Sequence, residues 1–245
     1  MKTTQNTVLI TGGSAGIGFE IAKQFAAKGN AVIITGRDQD RLNRAAAQIP
    51  GVTAIPFDVT KGDNVDQLAK TLAAKFPNLN VVVNNAGRAF VHSLSDDYGT
   101  FEKASEEMLT NYLSVIRLNE ALLPLLKKQD EAAIVNVTSI VAFAPNHKLS
   151  TYGASKAALH SYSQSLRLAL AKSSNIKVFE LMPPLVNTEF STEIGGERGI
   201  PPSEVASDLV SAFEEDRYEV HVGATAHIYT LTRTAPEEAL LTMNP

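Results

Sequence analysis

The chain has 245 residues, 44% of them hydrophobic and 20% charged, with a net charge of −4 at pH 7. This balance is typical of a globular protein and gives no basic surface for nucleic acid or an anionic membrane. The absence of cysteine excludes disulfide and thiol chemistry, and the five histidines lack metal-ligand spacing, so we expect no metal site.

The chain starts with a polar segment, residues 1–7, that lacks the apolar core of a signal peptide. No apolar run approaches the ~20 residues that a membrane span needs, so we expect a cytoplasmic protein. The first strand is predicted at residues 8–10, and a helical pattern runs from residue 19 to residue 28. A second strand is predicted at residues 31–34.

A glycine-rich loop, residues 11–18 (Thr-Gly-Gly-Ser-Ala-Gly-Ile-Gly), connects the first strand to the first helix. Glycines let backbone N–H groups approach a pyrophosphate at a helix N-terminus, where the helix dipole favours anions. An isolated glycine triplet is also compatible with a flexible turn. Here the loop lies in a strand–loop–helix–strand unit, which is the context that a dinucleotide site requires.

Helices and strands alternate through most of the remaining chain. Further helices are predicted at residues 40–49, 64–76, 100–128, 151–173 and 203–216, with a weaker pattern at 224–233. Further strands are predicted at residues 52–57, 79–83, 132–138, 176–181 and 218–222. This alternation predicts a single doubly wound, Rossmann-type α/β domain over residues 1–245, with a mostly parallel sheet and helices on both faces. The last dozen residues show no clear pattern.

Polar residues follow the predicted strands, and ligands of such sheets bind at the carboxyl ends of the strands. Ser139 ends one strand, and Tyr152 begins the helix that leaves it, four residues before Lys156. Residues four apart share one helix face, so the phenol and the ammonium are expected to lie together. A nearby positive charge lowers the pKa of a phenol, and a poised tyrosine can exchange a proton with a carbonyl or alcohol oxygen.

Several motifs resemble those of the short-chain dehydrogenase/reductase family in order and spacing. Residues 11–18 are similar to its Thr-Gly-x-x-x-Gly-x-Gly loop, and residues 84–87 to its Asn-Asn-Ala-Gly motif. Its catalytic tetrad is matched by Asn111, Ser139, Tyr152 and Lys156. The resemblance covers residues 7 to about 190 well and implies hydride transfer between a nicotinamide cofactor and a carbonyl or alcohol substrate.

The resemblance also implies a role for each member of the tetrad. Tyr152 is the general acid/base, and Lys156 lowers its pKa and holds the nicotinamide ribose. Ser139 orients the substrate oxygen. Asn111 anchors a water that leads away from Lys156, although a polar residue in a helical pattern can also simply face solvent.

The cofactor-binding residues that the resemblance implies are spread over five strand ends and the helix that carries Tyr152. They are Gly12, Ser14, Gly16, Ile17, Gly18, Arg37, Asp58, Val59, Asn85, Ala86, Gly87, Tyr152, Lys156, Pro183, Val186 and Thr188. Asp58 and Val59 would meet the adenine, although Asp58 could instead start a turn. Thr188 lies where the family binds the cofactor's carboxamide.

The residues after the second strand favour NADP(H) over NAD(H). Gly36 stands where NAD-binding members place an acidic residue, and Arg37 follows, whose guanidinium can grip a 2′-phosphate. Asp38 could instead pair with Arg37 or turn toward the ribose, which leaves NAD as the alternative. Arg37 could also be a solvated loop charge.

The segment after the sixth strand departs from the family pattern. The family usually has Pro-Gly there, whereas this chain has Pro183 and Pro184, and the second proline removes an N–H and stiffens the loop. A substrate loop is expected at about residues 185–202. Residues 182–188 also resemble a bacterial subgroup named for D-alanine esterification of teichoic acid, a name that describes an operon context more than a reaction.

The substrate pocket is expected to be lined by apolar side chains from three segments. They are Phe90, Val91, Phe143, Leu149, Leu185 and Phe190. Charged residues of the substrate loop, such as Glu189, are expected at the surface, and His160 is expected to pack in a helix interface.

Two other functions compete with that of a reductase or dehydrogenase. A non-catalytic dinucleotide-binding regulator or scaffold usually loses the tyrosine or the lysine, and both are present here. Epimerases and dehydratases of nucleotide sugars are normally longer. The helices that carry Asn111 and Tyr152 have apolar residues on more than one face, which predicts a homodimer or homotetramer.

Overall fold

The computed structural model describes residues 1–95 and 98–245. The acidic pair at positions 96 and 97, where the sequence predicts a turn before a helix, lies outside the described residues. Over the described part of the chain, the backbone forms one parallel sheet covered by helices on both faces. The predicted Rossmann-type fold is confirmed.

The strands and helices follow one another in the predicted alternation. The strands are β1 (Thr7–Thr11), β2 (Ala31–Gly36), β3 (Thr53–Pro56), β4 (Leu79–Asn84), β5 (Ala132–Val137), β6 (Ile176–Met182) and β7 (Glu219–His221). The helices are α1 (Gly16–Ala27), α2 (Gln39–Ala46), α3 (Gly62–Lys75), α4 (Thr100–Met108), α5 (Ser114–Leu126), α6 (Ser150–Ala171), α7 (Pro202–Glu215), α8 (Thr225–Thr234) and α9 (Pro236–Met243). None of the described helices combines the length and the apolar character needed to cross a membrane.

The sheet has the strand order β3-β2-β1-β4-β5-β6-β7 within the described residues, and its paired strands are parallel. Helices α1, α2 and α7 pack on one face, where Phe25 lies against Phe213. Helices α3, α5 and α6 pack on the other face through residues such as Leu72 and Leu118. The strand order reverses between β1 and β4, and the carboxyl ends of these two strands border the crevice where such sheets bind ligands.

Two segments differ from the sequence prediction. The single helix predicted over residues 100–128 is divided into α4 and α5 by a π-helical segment, Leu109–Leu113. A π-helical turn contains about one more residue than an α-helical turn, which rotates the following side chains around the helix axis. The apolar pattern of the sequence changes little, so it does not reveal the π-helical segment. The last dozen residues, which gave no pattern, contain α9, and Asn146 Nδ2 donates to the Met243 carbonyl at its end (2.6 Å).

Candidate active site

The loops after β1 and β4 are joined by hydrogen bonds at the carboxyl edge of the sheet. The Thr11 hydroxyl oxygen accepts from the backbone N–H groups of Asn85 and Ala86, both at 3.0 Å. The Asn85 side chain donates to the carbonyl oxygens of Thr11 (3.0 Å) and Gly12 (3.1 Å). These bonds fix the glycine-rich loop against residues 84–87.

The glycines of this loop occupy positions where side chains do not fit. Gly12 and Gly16 have φ angles of 65° and 56°, in the left-handed region that glycine adopts without strain. A Cβ atom on Gly18 would lie 2.5 Å from the Gly12 carbonyl oxygen. Helix α1 begins at Gly16, and no side chain of the described residues caps its first turn. The backbone N–H groups there suit an anion such as a pyrophosphate.

Gly36 at the end of β2 lies beside the glycine-rich loop. A Cβ atom on Gly36 would lie 3.6 Å from the Ser14 hydroxyl oxygen, an ordinary contact distance, so Ser14 borders this position. Arg37 is exposed and makes no hydrogen bond or ion pair with another described residue. The Asp38 carboxylate caps α2 by accepting from the backbone N–H of Arg41 at 2.9 Å, and so does not pair with Arg37.

Asp58 follows β3 and does start a turn, since its carboxylate accepts from the backbone N–H (2.9 Å) and the hydroxyl (2.7 Å) of Thr60. Burial acts to raise the pKa of Asp58, but the Thr60 hydrogen bonds and the nearby charge of Arg37 lower it overall. Asp58 is therefore ionised near neutral pH. Val59 beside it is buried.

Ser139, Tyr152 and Lys156 lie together, and all three are buried. Ser139 follows β5, and its hydroxyl faces the phenol of Tyr152 in the first turn of α6. The Lys156 ammonium lies 5.6 Å from the centre of the Tyr152 ring and donates to the Val137 carbonyl oxygen at 2.7 Å. The predicted stacking of Tyr152 and Lys156 is thus present.

Burial dominates the electrostatics of this group. It raises the pKa of Tyr152 above its usual range, while the Ser139 hydrogen bond opposes the shift and the charge of Glu107 adds to it. The cost of ionising a buried phenol sets the direction of the shift here, and the lowering of the pKa of Tyr152 by Lys156 stays a prediction. Burial also lowers the pKa of Lys156 to about 8, against the opposing charge of Glu180. Tyr152 is protonated near neutral pH.

Asn111 lies in the π-helical segment and is buried, which excludes the solvent-facing alternative. Its side chain accepts from the backbone N–H of Arg88 and donates to the Arg88 carbonyl and the Ser155 hydroxyl, each at 2.8 Å. A Cβ atom on Gly87 would lie 3.5 Å from the Asn111 side-chain oxygen and 3.9 Å from the Lys156 nitrogen. Asn111 and Lys156 therefore both border Gly87.

A model of the short chain dehydrogenase family matches residues 6–199. The chain belongs to the short chain dehydrogenase family. The family and its relatives, which are named oxidoreductases and a fatty acyl-CoA reductase, identify the chain as an oxidoreductase. Of the curated relatives, the uncharacterized oxidoreductase DltE of Bacillus subtilis is 39% identical over 232 residues, covering 90% of this chain and 89% of the relative. The resemblance drawn from the motifs, including the bacterial subgroup, is confirmed.

Solved structures of other short chain dehydrogenases share the fold over nearly their full length. One from Burkholderia phymatum, in complex with NAD, has a TM-score of 0.89 at 20% identity and covers 100% of this chain and 98% of its own. Another from Burkholderia cenocepacia, in complex with NADP, has a TM-score of 0.86 at 25% identity and covers 99% and 98%. The two neighbours thus bind different nicotinamide dinucleotides.

The loop after β6 of this dehydrogenase runs beside the glycine-rich loop. The Pro183 carbonyl accepts from the backbone N–H of Ile140 at 3.0 Å, and a Cβ atom on Gly16 would lie 3.2 Å from the Thr188 methyl carbon. Val186 forms a β-bridge with Ile200, which closes the base of the predicted substrate loop. Pro184 does not displace this loop from the strand ends.

Charged and aromatic residues of that loop take different positions. Glu189 forms an exposed ion pair with Arg41 at 2.5 Å, in keeping with its expected surface position. The Phe190 ring lies 6.0 Å from the Tyr152 ring, centre to centre, and its side chain is half exposed.

Sequence reasoning missed two buried carboxyl groups of the enzyme, those of Glu107 and Glu180. Glu107 accepts from the backbone N–H of Phe90 at 2.8 Å, and burial raises its pKa. Glu180 stands between Phe179 and Leu181 in β6, and a carboxyl group within this apolar stretch was the signal that could have found it. His160, predicted in a helix interface, lies instead on the side of α6 that faces the sheet, with Glu180 as its partner. No group of three or more histidine or acidic side chains in the described residues is arranged to hold a metal.

Proposed function

We propose that this enzyme transfers a hydride between NADP(H) and a carbonyl or alcohol substrate, with Tyr152 as the general acid/base. The observation that carries the proposal is the burial of Ser139, Tyr152 and Lys156 together, at the sheet edge that also holds the glycine-rich loop. The phenol of Tyr152, the hydroxyl of Ser139 and the ammonium of Lys156 thus lie at the same sheet edge as a loop whose shape suits a pyrophosphate.

The nicotinamide cofactor would supply or accept the hydride at the carbonyl carbon. In reduction, the Ser139 hydroxyl donates to the substrate oxygen and holds it near Tyr152. Tyr152 keeps its proton until that oxygen gains negative charge, because burial disfavours the phenolate. The Lys156 ammonium then stabilises the phenolate that remains. In oxidation, the same groups act in the reverse order.

The cofactor would lie along the carboxyl edge from β3 to β6. Gly12, Gly16 and Gly18 would admit the pyrophosphate, with Ser14 and Ile17 in the same loop. Asp58 and Val59 would meet the adenine, while Asn85, Ala86 and Gly87 would line the ribose and phosphate side. Pro183, Val186 and Thr188 would border the nicotinamide. We assign Asn111 to the water that leads away from Lys156, since both side chains border Gly87.

Three features of the β2 end support NADP(H) over NAD(H). Gly36 places no carboxylate beside the adenosine ribose. Asp38 is held as the cap of α2, so it is not turned to the ribose hydroxyls. Arg37 makes no hydrogen bond or ion pair with another described residue, although its charge reaches Asp58, and its guanidinium can meet a 2′-phosphate.

The substrate would carry an apolar group next to its carbonyl. Phe190 lies beside Tyr152 with half of its side chain exposed, and Val91 is also partly exposed. We expect NADPH oxidation when aldehydes and ketones with aliphatic or aromatic substituents are supplied, and little with small, charged keto acids. A panel of such compounds, followed by NADPH absorbance, tests this expectation. Failure of every carbonyl compound to oxidise NADPH or NADH would count against the proposed reaction.

We also propose that the enzyme is a homodimer or homotetramer. Leu113 beside α5 and Leu168 on α6 are exposed, whereas Leu118 and Leu159 of the same region are used in the core. An exposed pair on adjacent elements is suited to a second copy of the chain. Light scattering should give a mass at least twice 26.3 kDa, and Leu168→Asp should lower it.

The matched control for this substitution is Gln67→Asp on the exposed side of α3, which should leave the mass unchanged. A mass near that of one chain for the unmutated protein at micromolar concentration would contradict the proposal.

A further inference from the structure

A carboxylate is buried between the sheet and α6, next to the candidate active site. Glu180 is fully buried in β6, between apolar neighbours. Its carboxylate accepts from the Thr138 hydroxyl at 2.7 Å, and both of its oxygens lie within 3.0 Å of the His160 ring nitrogen Nδ1. The group is thus held in one orientation by a strand on one side and a helix on the other.

Both partners of Glu180 are neighbours of active-site residues. Thr138 immediately precedes Ser139, and His160 lies one helical turn after Lys156 on α6. The Lys156 ammonium is buried and donates to the Val137 carbonyl, the residue before Thr138. A buried ammonium without an opposite charge is costly, and so is a buried carboxylate. Besides its bonds to Thr138 and His160, Glu180 supplies the negative charge that acts to raise the pKa of Lys156 against burial.

We propose that Glu180 is a positioning residue that keeps Lys156 charged, while His160 and Thr138 fix the orientation of its carboxylate. This inference rests on the proposed function, in which Lys156 acts as a cation. It explains why an acidic residue stands at a fully buried position of β6.

Other charged groups around this pair are already compensated. Arg167 on α6 pairs with Glu219 on β7 at 2.9 Å, so these two largely cancel. His221 on β7 has a pKa that burial lowers, and it is neutral near neutral pH. His160 has a pKa that the Glu180 hydrogen bond raises, against burial. Among the described groups around His160 and β7, Glu180 is the carboxylate whose charge can offset that of Lys156. The offset is largest when His160 is neutral.

The proposal is tested by measuring the pKa of Lys156 in the absence of substrate and turnover. Protein labelled with 13C at the lysine ε-carbons is titrated by NMR, and the Lys156 signal is assigned by its loss in Lys156→Met. We expect Glu180→Gln to lower the pKa of Lys156 by roughly one unit, the size of one partly screened buried charge. His160→Gln, which keeps an N–H donor for Glu180, should not lower it.

The matched control is Glu131→Gln, because Glu131 pairs with Lys177 at the opposite edge of the sheet. It should leave the Lys156 titration unchanged. In carbonyl reduction, the alkaline limb of the kcat/KM profile should move to lower pH in Glu180→Gln and stay in place in Glu131→Gln.

An unchanged Lys156 titration in Glu180→Gln overturns the proposal. A drop of the same size in His160→Gln also overturns it, because a packing change rather than the carboxylate would then be responsible. If Glu180→Gln does not fold, Glu180→Asp, which keeps the charge, should fold with Lys156 still charged near pH 7, and a neutral Lys156 there would refute the proposal. The titration needs no substrate, so its result stands apart from failure of the proposed reaction.

Discussion

Replacement of Tyr152 by phenylalanine is expected to lower kcat for carbonyl reduction by roughly 10²–10⁴-fold, the usual contribution of a general acid. The substitution removes the phenolic oxygen and keeps the ring that packs near Phe190. The fold and the binding of NADPH should therefore persist. Turnover with the best substrate of the carbonyl panel and calorimetry with NADPH separate the two effects.

Tyr162→Phe is the matched control. Tyr162 lies on the same helix, and within the described residues its hydroxyl oxygen accepts one long hydrogen bond, from Asn119 (3.4 Å). This variant should retain nearly full activity. Near wild-type turnover by Tyr152→Phe would show that another group donates the proton.

Removal of the Arg37 side chain is expected to weaken NADPH binding by about one to two orders of magnitude. A hydrogen bond to a charged group contributes roughly 1.5–3 kcal/mol, which corresponds to that range. NADH has no 2′-phosphate, so its affinity for Arg37→Ala should barely change. Calorimetry with NADPH and NADH gives the ratio of the two dissociation constants for each protein. The measurements should be made at fixed ionic strength because charged contacts are screened by salt.

Arg217→Ala is the control for Arg37→Ala, since Arg217 precedes the amino end of β7, at the opposite edge of the sheet. It should leave both affinities unchanged. Tighter binding of NADH than of NADPH by the unmutated enzyme would contradict the NADP(H) assignment, and Asp38 would then have to leave its capping position to meet the ribose.

The sequence predicted the parallel sheet and its ligand-binding edge because these depend on local patterns. Alternating apolar segments define strands and helices, and polar residues at strand ends fall on one edge in any parallel sheet. The contact between Thr11 and Asn85 also requires β1 and β4 to be neighbours, and local patterns do not set that strand order. The stacking of Tyr152 and Lys156 follows from helical spacing.

Features that depend on tertiary packing were not predictable in the same way. The π-helical segment at Asn111 changes the helix by one residue within an unbroken apolar pattern. The pKa of Tyr152 is set by how deeply α6 packs on the sheet, which spacing does not reveal. Glu180 and His160 are 20 residues apart in the chain, and their contact exists only because α6 lies across β6.

The most direct test of the central claim is the transfer of deuterium from NADPH labelled at nicotinamide C4, on either face, to a carbonyl substrate of the panel. The account predicts that deuterium from one of the two labelled forms appears on the alcohol carbon. It also predicts that Tyr152→Phe almost abolishes the transfer while NADPH still binds. Absence of deuterium in the product from both labelled forms, despite cofactor oxidation, would contradict hydride transfer at this site.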